Sequence, residues 1–257
     1  MNQVSIVSLT ITGETMRIHF IIHEIFEGPG YFEYWAFKNG FKLSYTRLYL
    51  GDTLPDNAKE FDVLIVLGGP QSPSTSQKES PHFDANKEKK LIGEAISSNK
   101  AVVGVCLGAQ LIGEALGASY TKSPEPEIGA FPITLTCHGK SDPLLSKFEG
   151  KELVGHWHND MPGLTQNAEI LAYSSGCPRQ IVRYSGLVYG FQCHLEFTPF
   201  ELPALIEHST EQLEVGHEHE FVQSEDEILA MQTSRMNNLL HSFLDGLVQK
   251  YLQKDCH

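Results

Sequence analysis

One cysteine occupies a position typical of a catalytic nucleophile. Cys106 lies between two glycines in Gly104-Val105-Cys106-Leu107-Gly108, after the apolar stretch 101–105 and before a helical pattern that starts at residue 109. Gly-x-Cys-x-Gly at a strand-to-helix turn matches the nucleophile elbow that other hydrolases build around serine. Glycines avoid a clash between the neighbouring strand and helix, and the helix N-terminus favours a thiolate. The pattern predicts a nucleophile at Cys106; a buried structural cysteine is the simpler alternative.

A histidine and a carboxylate two residues apart could complete a set for cysteine-dependent hydrolysis. Segment 187–197 is apolar and predicts a strand, on which His194 and Glu196 point to the same face. The carboxylate can then hold one imidazole nitrogen while the other nitrogen faces a thiol. Considered alone, the pair is more simply explained as a half-buried histidine bonded to a neighbouring acid.

Two glycines at the end of another apolar stretch could supply an anion site. Residues 61–67 predict a buried strand, which Gly68-Gly69-Pro70 ends. Acyl transfer needs two N–H donors aimed at the developing oxyanion, and the backbones of Gly69 and Leu107 are the candidates. Gly-Gly-Pro alone is also compatible with an ordinary turn.

Taken together, these segments resemble the class I glutamine amidotransferases. The resemblance extends from about residue 17 to about residue 200. The matching motifs occur in the family's order: Leu67-Gly68-Gly69-Pro70, Gly104-Val105-Cys106-Leu107-Gly108-Ala109-Gln110 and Gln192-Cys193-His194-Leu195-Glu196. Trp157-His158-Asn159-Asp160 lies where the family carries its glutamine-contacting Ser/Asn-His-Gly-Asp segment. The sequence departs from the family's Gln-Phe-His-Pro-Glu motif at Cys193 and Leu195, and from its small polar residue at Trp157.

The resemblance implies a role for each matched residue. Cys106 would be the nucleophile, His194 the base and Glu196 the residue that orients the base. The backbones of Gly69 and Leu107 would be the oxyanion donors. Contacts to the bound glutamine would come from four residues: Gln110, Trp157, His158 and Asp160.

Three functions remain open at this point. The resemblance implies a glutaminase that releases ammonia for an acceptor, and 257 residues leave no room for the synthase domain that would use it. A partner synthase chain could therefore accept the ammonia. The alternatives are a stand-alone γ-glutamyl peptide hydrolase and a catalytically silent regulatory subunit.

The order of the elements predicts an α/β fold. Strands and helices alternate in the first half, and short strands separated by turns follow in the second half. We expect a mostly parallel central sheet with flanking helices and a small antiparallel portion. Residues 1–15 should form a peripheral extension, and 16–257 a single amidotransferase-like domain ending in a helical segment, 198–257. The site should lie beyond the carboxyl ends of the strands.

Composition narrows the range of partners. A formal net charge of −13 argues against nucleic acid and acidic membrane surfaces, and no apolar run is long enough to span a bilayer. The absence of a basic leader and the odd count of five cysteines predict a cytoplasmic protein with free thiols. The expected ligand is a small molecule, without a cofactor.

Two histidine pairs have the composition of metal ligands. His156 and His158 lie close to Asp160, while His217 and His219 flank Glu218. Zinc needs three or four converging ligands, and the sequence does not show that the two pairs meet. No metal is therefore expected, and the second pair is better explained as solvated surface.

Overall fold

A mixed sheet forms the centre of the chain. The computed structural model describes residues 10–11, 14–210, 213–214 and 218–254, and within these nine strands join in one sheet. The strands are β3 Arg17–Ile22, β4 Lys42–Arg47, β5 Val63–Val66, β6 Ala101–Val105, β7 Thr121–Leu135, β8 Lys151–Met161, β9 Glu169–Tyr173, β10 Ile181–Ser185 and β11 Val188–Phe191. A short antiparallel ribbon, β1 Thr10–Ile11 and β2 Glu14–Thr15, precedes them.

The sheet has a parallel half and an antiparallel half. Its spatial order is β4-β3-β5-β6-β11-β10-β9-β7-β8. The first five strands of that order are parallel to their neighbours, and the remaining four pair antiparallel. The predicted α/β class is confirmed, with the antiparallel strands extending the same sheet.

Helices cover both faces of the parallel half. They are α1 Tyr31–Lys38, α2 Ala85–Ser97, α3 Leu107–Ala115, α4 Cys137–Ser141, α5 Leu202–His208, α6 Glu225–Leu229 and α7 Ser234–Gln253. Along β6, Val103 and Val105 pack with the residues of α1 and α7, whereas Val102 packs with those of α2 and α3. This alternation is what a strand buried on both faces requires, and it explains why the central strands are apolar throughout.

One strand prediction is wrong. The apolar run at residues 187–197 predicts a single strand, but β11 ends at Phe191. The chain leaves the sheet there because His194 pairs its backbone with Gly155 of β8. The apolar stretch predicted at residues 101–105 has the bounds of β6.

The predicted division into an extension and a single domain stays a prediction. Most of residues 1–15, together with His217 and Cys256, lies outside the described residues. Helices α5, α6 and α7 fall within the segment 198–257 that is expected to be helical. No helix in the described part of the chain has the length and apolarity needed to cross a membrane.

Candidate active site

Cys106 lies at a strained turn between β6 and α3. Its backbone has φ 49° and ψ −109°, a region that residues other than glycine rarely adopt. Its N–H donates to Phe191 O at 2.7 Å, which continues the pairing of β6 with β11. The strain is held by interactions on both sides of the turn, as expected for a functional position.

The two glycines of the elbow are required by close backbone approach. A Cβ on Gly104 would overlap the backbone of Gly108, and a Cβ on Gly108 would overlap the carbonyl of Val66. The sequence interpretation of these glycines is therefore correct in its physical reason. Any side chain there would push α3 away from the sheet and move Cys106.

His194 and Glu196 form a buried pair. His194 Nδ1 lies 2.6 Å from Glu196 Oε1, and the His194 ring stacks on Phe197 with 4.2 Å between ring centroids. Backbone bonds of 2.7 and 3.0 Å tie His194 to Gly155. The pair thus forms outside a regular strand, held by β8.

The charge of His194 is set by its neighbours. Burial lowers the pKa of the His194 imidazole, but Glu196 and the adjacent Cys106 outweigh burial and raise that pKa to about 10. A pKa in this range favours the imidazolium at neutral pH, and the buried Glu196 carboxylate lies against it. Such a ring can donate a proton to a leaving group.

A buried histidine fixes the orientation of the glycine turn. His23 Nδ1 donates to Gly68 O at 2.8 Å, and its Nε2 lies 2.9 Å from Glu88 Oε2. Burial lowers the pKa of His23, but Glu88 and Gly68 outweigh it and raise the pKa. Because C=O and N–H point in opposite directions across a trans peptide, this bond directs Gly69 N–H away from His23.

Gly69 and Leu107 lie side by side. A Cβ on Gly69 would lie 3.1 Å from Leu107 Cδ2. Leu107 is the first residue of α3, so its N–H precedes the hydrogen-bond ladder of that helix. The two predicted oxyanion donors are thus neighbours at the helix N-terminus beside Cys106.

A cleft of about 740 Å³ opens at this edge of the sheet. Six of the nine predicted site residues line it: Gly69, Cys106, Gln110, Trp157, His158 and Asp160. The other three, Leu107, His194 and Glu196, are buried beside them. The structure therefore brings all nine residues to one end of the fold.

Two of the predicted glutamine contacts have free polar atoms. Gln110 Nε2 donates to Gln192 Oε1 at 3.1 Å, while Gln110 Oε1 has no hydrogen-bond partner among the described residues. Trp157 O lies 3.6 Å from Cys106 Sγ, and Trp157 Nε1 also lacks a partner in the described part of the chain. Both unpaired atoms are buried in the wall of the cleft.

The other two predicted contacts lie within ion-pair distance of neighbouring groups, although His158 Nδ1 has no hydrogen-bond partner among the described residues. Asp160 Oδ1 lies 2.8 Å from Lys122 Nζ, and His158 Nε2 lies 3.3 Å from Glu127 Oε2. Any contact that these two residues make with a ligand must coexist with those partners.

Sequence reasoning missed Glu27, which lines the cleft after β3. Burial raises the pKa of Glu27 to about 7, against the opposing effect of His194 and His23. Both Glu27 and His23 follow the carboxyl end of a parallel strand. The rule that sites gather at such ends could have singled them out.

One described cluster has the donor set of a metal site. Glu127, His156 and His158 are buried, and each offers an atom within 4.8 Å of the others. Burial lowers the pKa of His156 to about 3, although Glu127 opposes it. The sequence alone does not single out Glu127, because only the pairing of β7 with β8 brings it next to the histidines.

The α/β sheet and the strained cysteine between β6 and α3 are the architecture of the class I glutamine amidotransferases. The sequence profile of glutamine amidotransferase class-I matches residues 38–213. The chain belongs to this family.

Relatives and solved structures agree with this assignment. The chain is 51% identical to the glutamine amidotransferase-like protein YfeJ of Salmonella typhimurium, over 93% of this chain and 100% of that protein. It is 25% identical to a glutamine amidotransferase of Methylobacillus flagellatus of known structure, with a TM-score of 0.80, covering 93% and 96% of the two chains. It is 27% identical to anthranilate synthase component 2 of Helicobacter pylori, over 58% of this chain and 70% of that one.

Proposed function

We propose that this protein hydrolyses the side-chain amide of glutamine through a γ-glutamyl thioester on Cys106 and releases ammonia for an acceptor. The observation that carries the proposal is the strained Cys106 elbow beside the buried pair of His194 and Glu196, whose closest atoms are 2.6 Å apart. A thiol, a proton-transferring imidazole and an orienting carboxylate are the parts this chemistry needs.

The first half of the reaction forms the thioester. The Cys106 thiolate adds to the amide carbon, and the N–H groups of Gly69 and Leu107 stabilise the oxyanion. The imidazolium of His194 gives its proton to the amide nitrogen as the carbon–nitrogen bond breaks, so ammonia leaves. Glu196 holds the ring in place and stabilises its charged form.

The second half regenerates the enzyme. The now neutral His194 takes a proton from water, and the hydroxide adds to the thioester carbon. The carbon–sulfur bond then breaks, which releases glutamate and returns the Cys106 thiolate and the His194 imidazolium. Apart from the amide substrate, the cycle consumes one water molecule and regenerates the enzyme.

An acceptor must use the ammonia. The relative named anthranilate synthase component 2 suggests by its name that a separate synthase chain can be the partner of such a domain. We therefore infer a partner chain that binds near the cleft and takes up ammonia in the cytoplasm.

A second candidate is hydrolysis of γ-glutamyl peptides. The cleft of about 740 Å³ exceeds what free glutamine occupies, and an indole lines it at Trp157. An amine substituent larger than ammonia could stack on that ring. This reaction would use the same thioester and the same three residues.

Labelling and turnover together test the proposal. A glutamine-like electrophile should label Cys106 of the purified chain, and ammonia should be released from glutamine or an amine from γ-glutamyl peptides. Peptide mapping identifies the labelled thiol, with exposed Cys137 as the internal control. A chain that is neither labelled at Cys106 nor active on any of these donors would be a silent regulatory subunit.

A further inference from the structure

We propose that Glu127, His156 and His158 form a buried zinc site beneath the cleft. The proposal rests on the antiparallel pairing of β7 with β8. Glu127 lies directly opposite His158, and His156 is two residues before it on the same face. The backbone therefore places one carboxylate and two imidazoles together in the interior.

The spacing of the three donor atoms fits a tetrahedral ion. His156 Nδ1 lies 3.4 Å from His158 Nε2, and Glu127 Oε2 lies 3.3 Å from His158 Nε2 and 3.6 Å from His156 Nδ1. Zinc bonds of about 2.0–2.1 Å in a tetrahedron separate ligand atoms by about 3.3–3.4 Å. Little movement is needed to seat an ion among these atoms.

The outer hydrogen bonds hold these donors in a binding orientation. His156 Nε2 donates to Phe131 O at 3.2 Å, so the lone pair of this imidazole is on Nδ1 and faces the cluster. Gly176 N donates to Glu127 Oε1 at 3.2 Å, which leaves Oε2 toward the imidazoles. Histidine ligands of metals commonly have their second nitrogen bound to a backbone carbonyl in this way.

Those bonds also leave two electron-rich atoms facing each other. The lone pair of His156 Nδ1 and the carboxylate oxygen Glu127 Oε2 are 3.6 Å apart in a fully buried place. Glu127 Oε2 accepts hydrogen bonds from Ser174 Oγ at 2.7 Å and from Gln180 Nε2 at 2.6 Å, but both donors are neutral and neither supplies the positive charge that a buried carboxylate favours. A divalent cation between them supplies that charge.

A fourth donor lies within reach. The amide nitrogen of Gln180 lies 2.6 Å from Glu127 Oε2 and 3.1 Å from His158 Nε2, while Gln180 Oε1 has no partner among the described residues. Turning the amide over places Oε1 at the cluster instead. Two imidazoles and a carboxylate are a known zinc-binding set, and a fourth protein donor would close the site in the four-coordinate geometry of structural zinc.

The ion would act on the active site through β8. Trp157 lies between the two histidines, and its carbonyl is 3.6 Å from Cys106 Sγ. Fixing His156 and His158 therefore fixes the strand that forms the wall beside the nucleophile. This role does not depend on the proposed reaction, and metal content tests it separately.

The test measures zinc on tag-free, full-length protein. After dialysis against a weak chelator, wild type should retain about one Zn²⁺ per chain. Glu127→Gln and His156→Gln should retain less than a tenth of that. His19→Gln is the matched control: His19 is also buried but bonds to Ser44 and Thr46, so this variant should keep its zinc.

A second measurement covers variants that fail to fold. X-ray absorption of zinc-loaded wild type should show four nitrogen or oxygen ligands, two of them imidazoles, and added Zn²⁺ should raise the Tm of metal-free wild type by several degrees. Wild type that holds no zinc, or zinc that persists in both Glu127→Gln and His156→Gln, would overturn the proposal. The cluster would then be a hydrogen-bond network alone.

Discussion

The side-chain amide of Asn237 in α7 donates a 2.7 Å hydrogen bond to the carbonyl of Leu195, the residue between His194 and Glu196. The same amide donates to Phe197 O at 3.0 Å. A residue about 40 positions downstream therefore fastens the segment that carries the imidazole and its carboxylate. The closing helix thereby holds the proposed catalytic pair, which lies outside any strand.

Asn237→Ala should remove the two hydrogen bonds that attach this segment to α7. Leaving two buried carbonyls unpaired costs about 1–3 kcal/mol of unfolding free energy, and a looser pair should lower kcat about tenfold with little change in KM. Denaturant unfolding and steady-state kinetics measure the two effects. Asn39→Ala is the control, because Asn39 bonds the carbonyl of Trp35 away from this segment. Unchanged turnover in Asn237→Ala would argue against a positioning role.

Cys106→Ser should abolish turnover without unfolding the chain. A serine hydroxyl is not ionised by this site, whereas its volume matches that of the thiol. Activity on glutamine and γ-glutamyl peptides, with circular dichroism alongside, checks both statements. Cys137→Ser should behave as wild type, because Cys137 is exposed and lies outside the cleft. Substantial residual activity in Cys106→Ser would end the thioester mechanism.

Glu196→Gln should reduce the rate less than His194→Ala does. In the proposed reaction Glu196 only orients the imidazole, whereas His194 moves the protons. A pH profile adds a second readout. Since Glu196 helps raise the pKa of His194 to about 10, its neutralisation should lower that pKa. The alkaline loss of activity, where His194 gives up its proton, should then begin at lower pH. A Glu196→Gln rate at or below that of His194→Ala would contradict these roles.

Glu27 should make folding stability fall as the pH rises toward neutrality. Its pKa is about 7 in the folded chain against 4.5 as the ordinary value, so between these the folded state holds a proton that the unfolded state has released. By linkage, raising the pH from 4.5 to 7 removes at most about 3 kcal/mol of stability through this group, less the screening of its partly exposed side chain.

Glu27→Gln should remove that dependence. The free energy of unfolding of the variant, minus that of wild type, should increase between pH 4.5 and 7. Denaturant unfolding at several pH values measures this difference. Exposed Glu207, replaced in the same way, is the control and should give a flat difference. A flat difference for Glu27→Gln as well would mean that Glu27 has the same pKa in the folded and unfolded chain.

Local patterns in the sequence were sufficient to predict the strand-to-helix turn at Cys106. The strand β6, the two crowded glycines and Cys106 are contiguous, so their spacing alone carried the prediction. A local pattern also predicted the pair of His194 and Glu196. The strand predicted for them, however, ends at Phe191, because the backbone of His194 pairs with Gly155 of β8. That pairing is long-range, and no local pattern encodes it.

The residues that the sequence did not reveal depend on such long-range contacts. His23 holds the turn at Gly68 only because Glu88, 65 residues away, packs against it. Glu127 meets His158 only through the register of β7 with β8. The available signal for these residues was a polar side chain within an otherwise apolar strand. That signal does not show which side chain the fold will bring into contact with it.

The isolated chain should hydrolyse free glutamine slowly. Where the family carries a small polar residue, Trp157 presents an indole to the cleft, and its N–H has no partner among the described residues. The ring reshapes a pocket for a small amide and offers its face to a larger γ-glutamyl compound. Comparing kcat/KM for glutamine and a panel of γ-glutamyl peptides on the pure chain tests this preference.

The variant Trp157→Ser tests directly whether the indole sets this substrate preference. Restoring the family's small polar residue should raise kcat/KM for glutamine relative to the best peptide, whereas Trp157→Phe, which keeps a ring but loses the N–H, should keep the wild-type order. If a partner synthase instead activates the chain, its addition should raise glutaminase activity of wild type by stabilising the active arrangement. Fast turnover of free glutamine by the isolated wild-type chain would contradict the expectation and indicate a self-sufficient glutaminase.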